Sequence, residues 1–423
     1  MKTKLTPLEK SWILYDIGNS AFILLVSTII PIFFETLCAA EGLSEEYVSI
    51  WSFMGSISTL IVAFIGPICG TMADCKRCKK PIFILSMCLG ALGCAALGTA
   101  WSWLSFAVIF VIAKVGYNSA NVFYDAMLPE VAGQDRMDNV SSLGYAFGYI
   151  GSVIPFVLCL LVVLGNEMIG ISMGTAMIIA FAITALWWIG CTIPLLKKYK
   201  QTAYVEAKGN PIIVSFRQLW DTFVKAKKNK HIFLYLLSFF FFIDGVYTII
   251  DMATAYGTSL GLDSTGLLLA LLWTQIVAFP CAIIFGRLAA KFDTGKLIKI
   301  CILCYTGITM FAVFLMYQWQ FWLLATLVGM FQGGIQALSR SYLGKIVPPE
   351  QSGEYYGLMD ICGKGASFLG LFLVGMVTSY TKGMSYHVFG MELQSQSLGV
   401  ASLVVIFLIG FVLFCKADKM NRK

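Results

Sequence analysis

Twelve long hydrophobic runs constrain this chain more than any other feature of its sequence. They cover residues about 12–37, 47–73, 81–101, 103–127, 143–164, 175–195, 231–256, 264–290, 297–317, 319–343, 361–380 and 398–415. A helix needs roughly 20 apolar residues to cross the hydrocarbon core of a bilayer, and these runs are close to that length. They are too continuous for the alternating strands of an outer-membrane barrel. The pattern predicts an all-α polytopic membrane protein with twelve transmembrane helices.

Composition and charge placement agree with this prediction. Of the 423 residues, 58% are hydrophobic and 13% are charged, and a soluble fold could not cover so much apolar surface. By helix count, 28 of the 30 Lys and Arg residues fall on one side of the bilayer. The positive-inside rule then places both termini in the cytoplasm of a plasma (inner) membrane protein. This asymmetry also accounts for the net charge of +7, so we expect a lipid bilayer and no nucleic-acid partner.

One long polar segment divides the hydrophobic runs into two groups of six. We predict an N-terminal six-helix bundle over residues 1–196, a cytoplasmic linker over 197–230 and a C-terminal six-helix bundle over 231–423. The second half of the linker places apolar residues on one helix side and then a series of lysines. This pattern is typical of an amphipathic helix lying in the membrane interface.

The two halves of the chain resemble each other at a shift of roughly 215–230 residues, by comparison of their helix positions. Asp16 corresponds to Asp244, and Gly70-x-x-Ala73 corresponds to Gly286-x-x-Ala289. Two six-helix bundles related by such a repeat commonly enclose a binding site near the middle of the membrane. The repeat therefore predicts a site shared by corresponding helices.

Polar residues recur on four of the predicted helices, one in each group of three. Within each helix they are spaced by three or four residues, which places them on one face. Such side chains are costly in hydrocarbon, so the faces must contact protein or water. The predicted substrate-binding or coupling residues are Asp16 and Asn19; Lys114, Asn118 and Asn121; Asp244, Thr248 and Asp251; and Gln332, Gln336 and Arg340.

Two of these faces have alternative interpretations. The face that carries Gln332, Gln336 and Arg340 also fits an interhelical hydrogen-bond seam that binds no ligand. Lys114 lies near the middle of the bilayer and needs a counter-ion or a ligand there. A purely structural ion pair with an aspartate on a facing helix would satisfy it as well. Both questions stay open at the level of sequence.

Several motifs carry a resemblance to a known family. They are Tyr15-Asp16-x-x-Asn19-Ser20, Asp244-Gly245 with Thr248, Gly333-Gly334-Ile-Gln336-Ala-Leu-Ser339-Arg340-Ser341, and Gly353-Glu354-Tyr355-Tyr356-Gly357 with Gly363-Lys364. With them the chain resembles the vacuole-effluxer-like branch of the major facilitator superfamily over essentially its whole length. The resemblance implies the major facilitator fold and alternating access. Characterised fungal members of this branch are linked to autophagy and amino-acid release.

The segment after the second hydrophobic run has a gate-like pattern. Asp74 stands at the membrane edge before a basic cluster that includes Arg77. An acid in this position can pair with the positive end of a nearby helix. The segment also resembles the superfamily's signature between helices 2 and 3. We expect Asp74, Arg77 and Lys364 to form a conformational gate.

The predicted faces offer both signs of charge. Asp16, Asp244 and Asp251 can bind an ammonium group or carry a coupling proton, and Lys114 and Arg340 can hold a carboxylate. We therefore hypothesise a monomeric, cofactor-free secondary transporter of an amino acid or a similar zwitterion, with the proton as coupling ion.

Two other functions fit the same sequence. The acids and the many aromatic residues also suit an exporter of hydrophobic or cationic compounds, and a non-transporting membrane sensor or scaffold is a third candidate. An enzyme is not expected, because His231 and His387 have no nucleophile pattern around them and no phosphate-binding loop is present. Cys75 and Cys78 lack a second ligand pair, so no metal site is predicted.

Overall fold

The computed structural model of the chain describes residues 4–26, 28–43, 47–206, 229–381, 386–388, 391–393 and 395–422, without the side chains of some helical residues, Lys364 among them. The amphipathic helix predicted in the second half of the linker lies outside the described residues.

Helices account for nearly all of the described chain. The first half contains α1 (Pro7–Val26), α2 (Ile29–Ala40), α3 (Tyr47–Asp74), α4 (Lys79–Leu97), α5 (Trp103–Ala126), α6 (Leu128–Val131), α7 (Gln134–Leu164), α8 (Asn166–Ile169) and α9 (Met173–Lys198). The second half contains α10 (Lys230–Ser259), α11 (Ser264–Ala289), α12 (Thr294–Val313), α13 (Gln318–Ile346), a 3-10 turn (Pro349–Gln351), α14 (Ser352–Tyr380), α15 (Ser395–Ala401) and α16 (Leu403–Asn421). Two three-residue strands, β1 (Tyr386–Val388) and β2 (Met391–Leu393), pair antiparallel before α15.

The prediction of twelve membrane-spanning helices is confirmed. Within the described residues, eleven helical segments are long and apolar enough to cross a membrane, with α1–α2 and α15–α16 each counted as one. The twelfth is α14, which is 29 residues long and whose described apolar part is Leu369–Tyr380.

Several helices extend well beyond their hydrophobic runs. The run predicted at 143–164 belongs to a helix that begins at Gln134, and α13 continues to Ile346. Hydropathy detects only the part of a helix that lies inside the bilayer. The helix itself can continue into polar residues at either end, because its backbone hydrogen bonds do not depend on side-chain polarity. These polar ends carry several of the contacts described below.

The chain divides into two compact units. Unit 1 comprises the described parts of Met1–Gly133, Phe147–Leu219 and Pro348–Gly357, and unit 2 those of Gln134–Ala146, Trp220–Val347 and Leu358–Lys423. The polar start of α7 thus belongs to unit 2, and the start of α14 belongs to unit 1. The bundle limits at 196 and 231 stay a prediction.

Each unit shows the same internal packing. In unit 1, α4 packs against α5 and α9, α1 against α9, and α3 against α5. In unit 2, the corresponding pairs are α12 with α13 and α16, α10 with α16, and α11 with α13. The packing therefore repeats in the order that the sequence repeat implies.

Close backbone approach holds α4 and α5 together. A Cβ atom at Gly116 would lie 2.3 Å from the backbone nitrogen of Gly90. Small residues at such contacts let membrane helices approach each other and gain van der Waals contact. This pair fixes the position of α5, which carries one of the polar faces.

We expect Gly116→Ala to destabilise the protein. Its new methyl group meets backbone rather than a movable side chain, and overpacking of this kind costs about 1–3 kcal/mol. The apparent midpoint of thermal unfolding in detergent should fall. Gly190→Ala, on α9, is the matched control because a Cβ there meets nothing within 4 Å, and its midpoint should not fall.

Candidate functional site

The polar faces of α1 and α5 meet inside unit 1. The Asn19 side-chain amide donates to Asn121 Oδ1 at 2.7 Å, and the Tyr15 hydroxyl approaches the same oxygen at 3.5 Å. Asp16 and Asn118 are buried on these two helices. The sequence prediction that these positions share a protein-facing surface agrees with this arrangement.

Lys114 lies on α5, one turn before Asn118, and is partly exposed, whereas Asn118 is buried. The polar face of α5 therefore runs from a partly exposed cation to a buried amide, that of Asn118. Together with Asp16 on α1, this face places an acid, a base and several amides within one unit.

In unit 2, Asp244 is completely buried on α10. Its Oδ1 accepts a hydrogen bond from the Gly370 backbone N–H of α14 at 2.9 Å and lies 3.5 Å from the Thr248 hydroxyl, which donates to it. Asp251, on the same predicted face, is exposed. The structure thus brings Asp244 and Thr248 into contact. Both are buried, whereas Asp251 is exposed.

A small cavity lies among α10, α11 and α13. Its walls are mostly aliphatic, with Phe321, and its polar groups come from Thr274, Gln275 and Gln332. Gln332 is buried, whereas Gln336 is partly exposed one turn further along α13. The cavity therefore combines an apolar lining with an amide edge.

Arg340 joins α13 to the polar start of α7. Its guanidinium donates to the hydroxyl and the backbone carbonyl of Ser141, both at 2.9 Å, and stacks on the Tyr145 ring, 4.3 Å from the ring centroid. Arginine suits such a site because its planar fork donates in several directions and stacks on aromatic rings. These contacts give Arg340 a structural role within unit 2, and its contact with a solute stays a prediction.

Asp74 binds the first turn of α14. Its two carboxylate oxygens accept from the backbone N–H groups of Gly353 at 2.8 Å and Glu354 at 2.9 Å. The first N–H groups of a helix lack partners within the helix, and its positive end favours an anion. A Cβ at Gly353 would lie 2.3 Å from the Gly70 carbonyl oxygen, so glycine is needed for this approach.

Lys79 connects this contact to Glu130. The lysine ammonium donates to Glu130 Oε1 at 2.8 Å and to the Ser352 hydroxyl at 2.9 Å, and lies 3.7 Å from Asp74. Lys79 and Asp74 are completely buried. A buried ion pair of this kind is stable only when all its members keep their partners. These side chains therefore form one cluster, which we call the Asp74 lock. It consists of Asp74, Lys79, Glu130 and Ser352.

The chain after α9 is fastened to this lock. The Tyr199 hydroxyl donates to Glu130 Oε1 at 2.8 Å, and the backbone N–H groups of Thr202 and Ala203 donate to Oε2 at 2.6 and 3.1 Å. The Val205 N–H donates to the Asp74 carbonyl at 2.8 Å. Burial and the adjacent Glu130 raise the pKa of the Tyr199 phenol, which keeps it a donor. We call residues 199–205 the strap.

A second ionic cluster occupies unit 2. Asp138 accepts from the hydroxyls of Ser341 at 2.6 Å and Thr294 at 2.7 Å, and it forms an ion pair with Lys345. Asp138 is buried. The cluster fastens the start of α7 to α12 and α13, as the Asp74 lock fastens the start of α14 in unit 1.

The other predicted gate residues are placed differently. Arg77 is exposed and adopts a left-handed backbone conformation, with φ of 63°. The Lys364 side chain lies outside the described residues. Of the three predicted gate residues, Asp74 is therefore the one whose contacts the structure shows.

Sequence reasoning missed the partners of these locks. No site role was predicted for four of them, because their hydrogen-bond partners lie far away in the sequence: Lys79, Glu130, Asp138 and Lys345. One signal was available: Leu128-Pro129-Glu130 corresponds in the repeat to the segment at Val347-Pro348, and the structure places Glu130 and the segment after Pro348 in contact with Lys79.

Comparisons with known proteins agree with this architecture. The sequence profile of the vacuole effluxer Atg22-like family matches residues 8–415. The MFS-type transporter YxiO of Bacillus subtilis (strain 168), itself uncharacterised, is 39% identical over 98% of this chain and 95% of its own length. Autophagy-related protein 22-2 of Aspergillus clavatus is 26% identical over 56% of this chain and 43% of its own length. The solved structure of FucP, a major facilitator superfamily transporter, superposes with a TM-score of 0.70 at 14% identity over 97% of both chains.

We expect Glu130→Gln to release the strap. The amide replaces a carboxylate that accepts from Lys79, Tyr199 and two backbone N–H groups, and hydrogen bonds to a charged group are worth about 1.5–3 kcal/mol. Amide hydrogen exchange in residues 199–205, followed by mass spectrometry, should become at least about tenfold faster. Glu206→Gln, an exposed neutralisation beside the strap, is the control. Unchanged exchange in Glu130→Gln would contradict the assigned contacts.

We also expect Asp138→Asn to lower stability. The change removes the anion that Lys345 and two hydroxyls share, at a cost of about 1–3 kcal/mol. The midpoint of thermal unfolding should fall, while Asp135→Asn, which neutralises an exposed acid on the same helix, should leave it within experimental error. Equal midpoints for the two variants would show that the cluster contributes little.

Proposed function

The chain belongs to the vacuole effluxer Atg22-like family, and from this premise we propose that it moves an amino acid or a similar zwitterion by proton-coupled alternating access. It is an integral membrane transporter of the major facilitator type and not an enzyme, as its relatives and its fold show. The substrate class and the coupling ion are the parts that we propose.

One observation supports the coupling ion most directly. Asp244 is a completely buried carboxyl group in a membrane-spanning helix, and its Oδ2 has no hydrogen-bond partner among the described residues. A buried charge that lacks a partner is costly, and addition of a proton removes the charge. Asp244 therefore serves as the proton carrier in this proposal.

The polar face of unit 1 supports the substrate class. Asp16 and Asn19 on α1, with Lys114, Asn118 and Asn121 on α5, offer an acid, a base and three amides in one helix pair. An acid can bind the ammonium group of a zwitterion and a lysine its carboxylate. We assign substrate recognition to this face, and we assign both termini to the cytoplasmic side of a monomer in the plasma membrane.

The apolar cavity of unit 2 favours a second candidate function. Its aliphatic walls and Phe321 would accommodate an apolar group, so the cavity supports export of hydrophobic compounds. A zwitterion with a charged or small polar side chain gains little from such a lining. Hydrophobic cations are therefore included among the ligands offered in the transport assay.

The test is transport by the purified protein in proteoliposomes. Labelled amino acids, sugars and hydrophobic cations are each offered with and without an imposed pH gradient. We expect accumulation of an amino acid that depends on the gradient and collapses when a proton ionophore is added. Accumulation of the cations alone would favour the second candidate, and no flux of any kind would reject transport of these classes.

Two variants test the residue roles. Lys114→Ala and Asp244→Asn should each reduce gradient-driven uptake at least tenfold. The first removes an ionic partner of the substrate, worth about 1.5–3 kcal/mol, and in the second an amide cannot carry the coupling proton. Lys291→Ala and Asp135→Asn are the controls, since both residues are exposed, and should transport as the native chain does. Asp244→Asn should retain counterflow, which needs no net proton movement, and loss of gradient response without loss of counterflow would identify Asp244 as the coupling group.

A further inference from the structure

The two oxygens of Asp244 have different surroundings. Oδ1 accepts from the Gly370 N–H at 2.9 Å and from Thr248 at 3.5 Å, while Oδ2 has no partner among the described residues. A protonated carboxyl group has one carbonyl oxygen and one hydroxyl oxygen, and only the former is a good acceptor. The two donors therefore select Oδ1 as the carbonyl oxygen and leave Oδ2 for the proton.

Gly370 makes this arrangement sterically feasible. A Cβ atom at position 370 would lie 2.2 Å from the Thr248 hydroxyl oxygen and 2.9 Å from Asp244 Oδ1. Neither distance can be accommodated without a shift of α14, of the carboxyl group or of the Thr248 side chain. The backbone of α14 can approach the acid only because residue 370 has no side chain.

On α10, α14 and α16 the charged residues lie some distance along the chain, and Arg340 of α13, which also packs against α10, is held by Ser141 and Tyr145. On α10 the nearest is Asp251, seven residues on, and on α14 Lys364 comes six residues before Gly370. On α16, which packs Phe407 against the neighbouring Gly245, Lys416 comes nine residues later. At 1.5 Å rise per residue these three residues lie about 9–14 Å along the helix axes from Asp244, Gly370 and Phe407 respectively. Of the two hydrogen bonds to Asp244 in the described part of the chain, the one from α14 is the shorter.

We propose that Gly370 is the positioning residue for the coupling proton: its N–H directs the proton to Oδ2 of Asp244 and links the charge of that acid to the packing of α14. This inference rests on the proposed role of Asp244. A hydronium ion gives its proton to Oδ2: one O–H bond of hydronium breaks, the carboxyl O–H bond forms, a water molecule is left and the acid becomes neutral; release reverses the step. No other covalent bond of the protein changes.

The two charge states hold α14 with different strength. A hydrogen bond to an ionised carboxylate is roughly twice as strong as one to a neutral carbonyl. The Gly370 contact therefore tightens when the proton leaves and weakens when it binds.

Infrared spectroscopy of the purified protein tests the inference without any substrate. A pH titration should show the C=O stretch of a protonated carboxyl group, and Asp244→Asn should remove that band. In Gly370→Ala the band should move to higher frequency, because a carbonyl that loses its donor stiffens. Gly375→Ala, on the same helix with nothing within 4 Å of its Cβ, should leave the band in place.

Each outcome decides a separate point. A band that is unchanged by Asp244→Asn would show that this acid does not take the proton, and an unshifted band in Gly370→Ala would overturn the role of Gly370. If Gly370→Ala does not fold, the double variant Thr248→Ala/Gly370→Ala removes the hydroxyl that the methyl group meets and should show the shift relative to Thr248→Ala. Failure of amino-acid uptake would leave these results intact.

Discussion

The buried carboxylate of Asp74 accepts hydrogen bonds from two N–H groups in the first turn of α14. The neighbouring side chains of unit 1 supply the charges and donors that this buried contact needs. Lys79 balances the charge, Glu130 balances Lys79, and Ser352 joins both to the helix start. Without such partners, ions buried at the end of a membrane bundle would cost several kcal/mol each. Asp138 and Lys345 form the corresponding arrangement in unit 2.

The sequence predicted what depends on the bilayer alone. Apolar length identified the twelve helices, and three- and four-residue spacing placed Asn19 and Asn121 on the surfaces where they meet. Asp74 was predicted to pair with a helix end, and it does so, but its partners Lys79 and Glu130 and the Asp138 cluster were not predicted. Glu130 meets Thr202 over 72 residues of chain and Asp74 meets Gly353 over 279, and pairs that distant leave no local pattern.

Helical periodicity also could not rank residues within one face. Asp244 and Asp251 are two turns apart on the same side of α10, yet one is completely buried and the other is exposed. The difference arises from the neighbouring helix. The backbone of α14 at Gly370 packs against Asp244 and covers α10 at that height. Periodicity gives the direction of a side chain, while the depth of the packing around it depends on another helix.

The strap places the end of the folded N-terminal half of the chain several residues beyond α9. Residues 199–205 come after the last turn of α9, yet their backbone fills the acceptor positions of Glu130 and pairs with the end of α3. They are therefore part of the folded N-terminal half. A half-length chain cut at Lys198 would leave this buried acid exposed to water and short of donors, so a separately expressed half should extend to Val205 if it is to assemble with its partner.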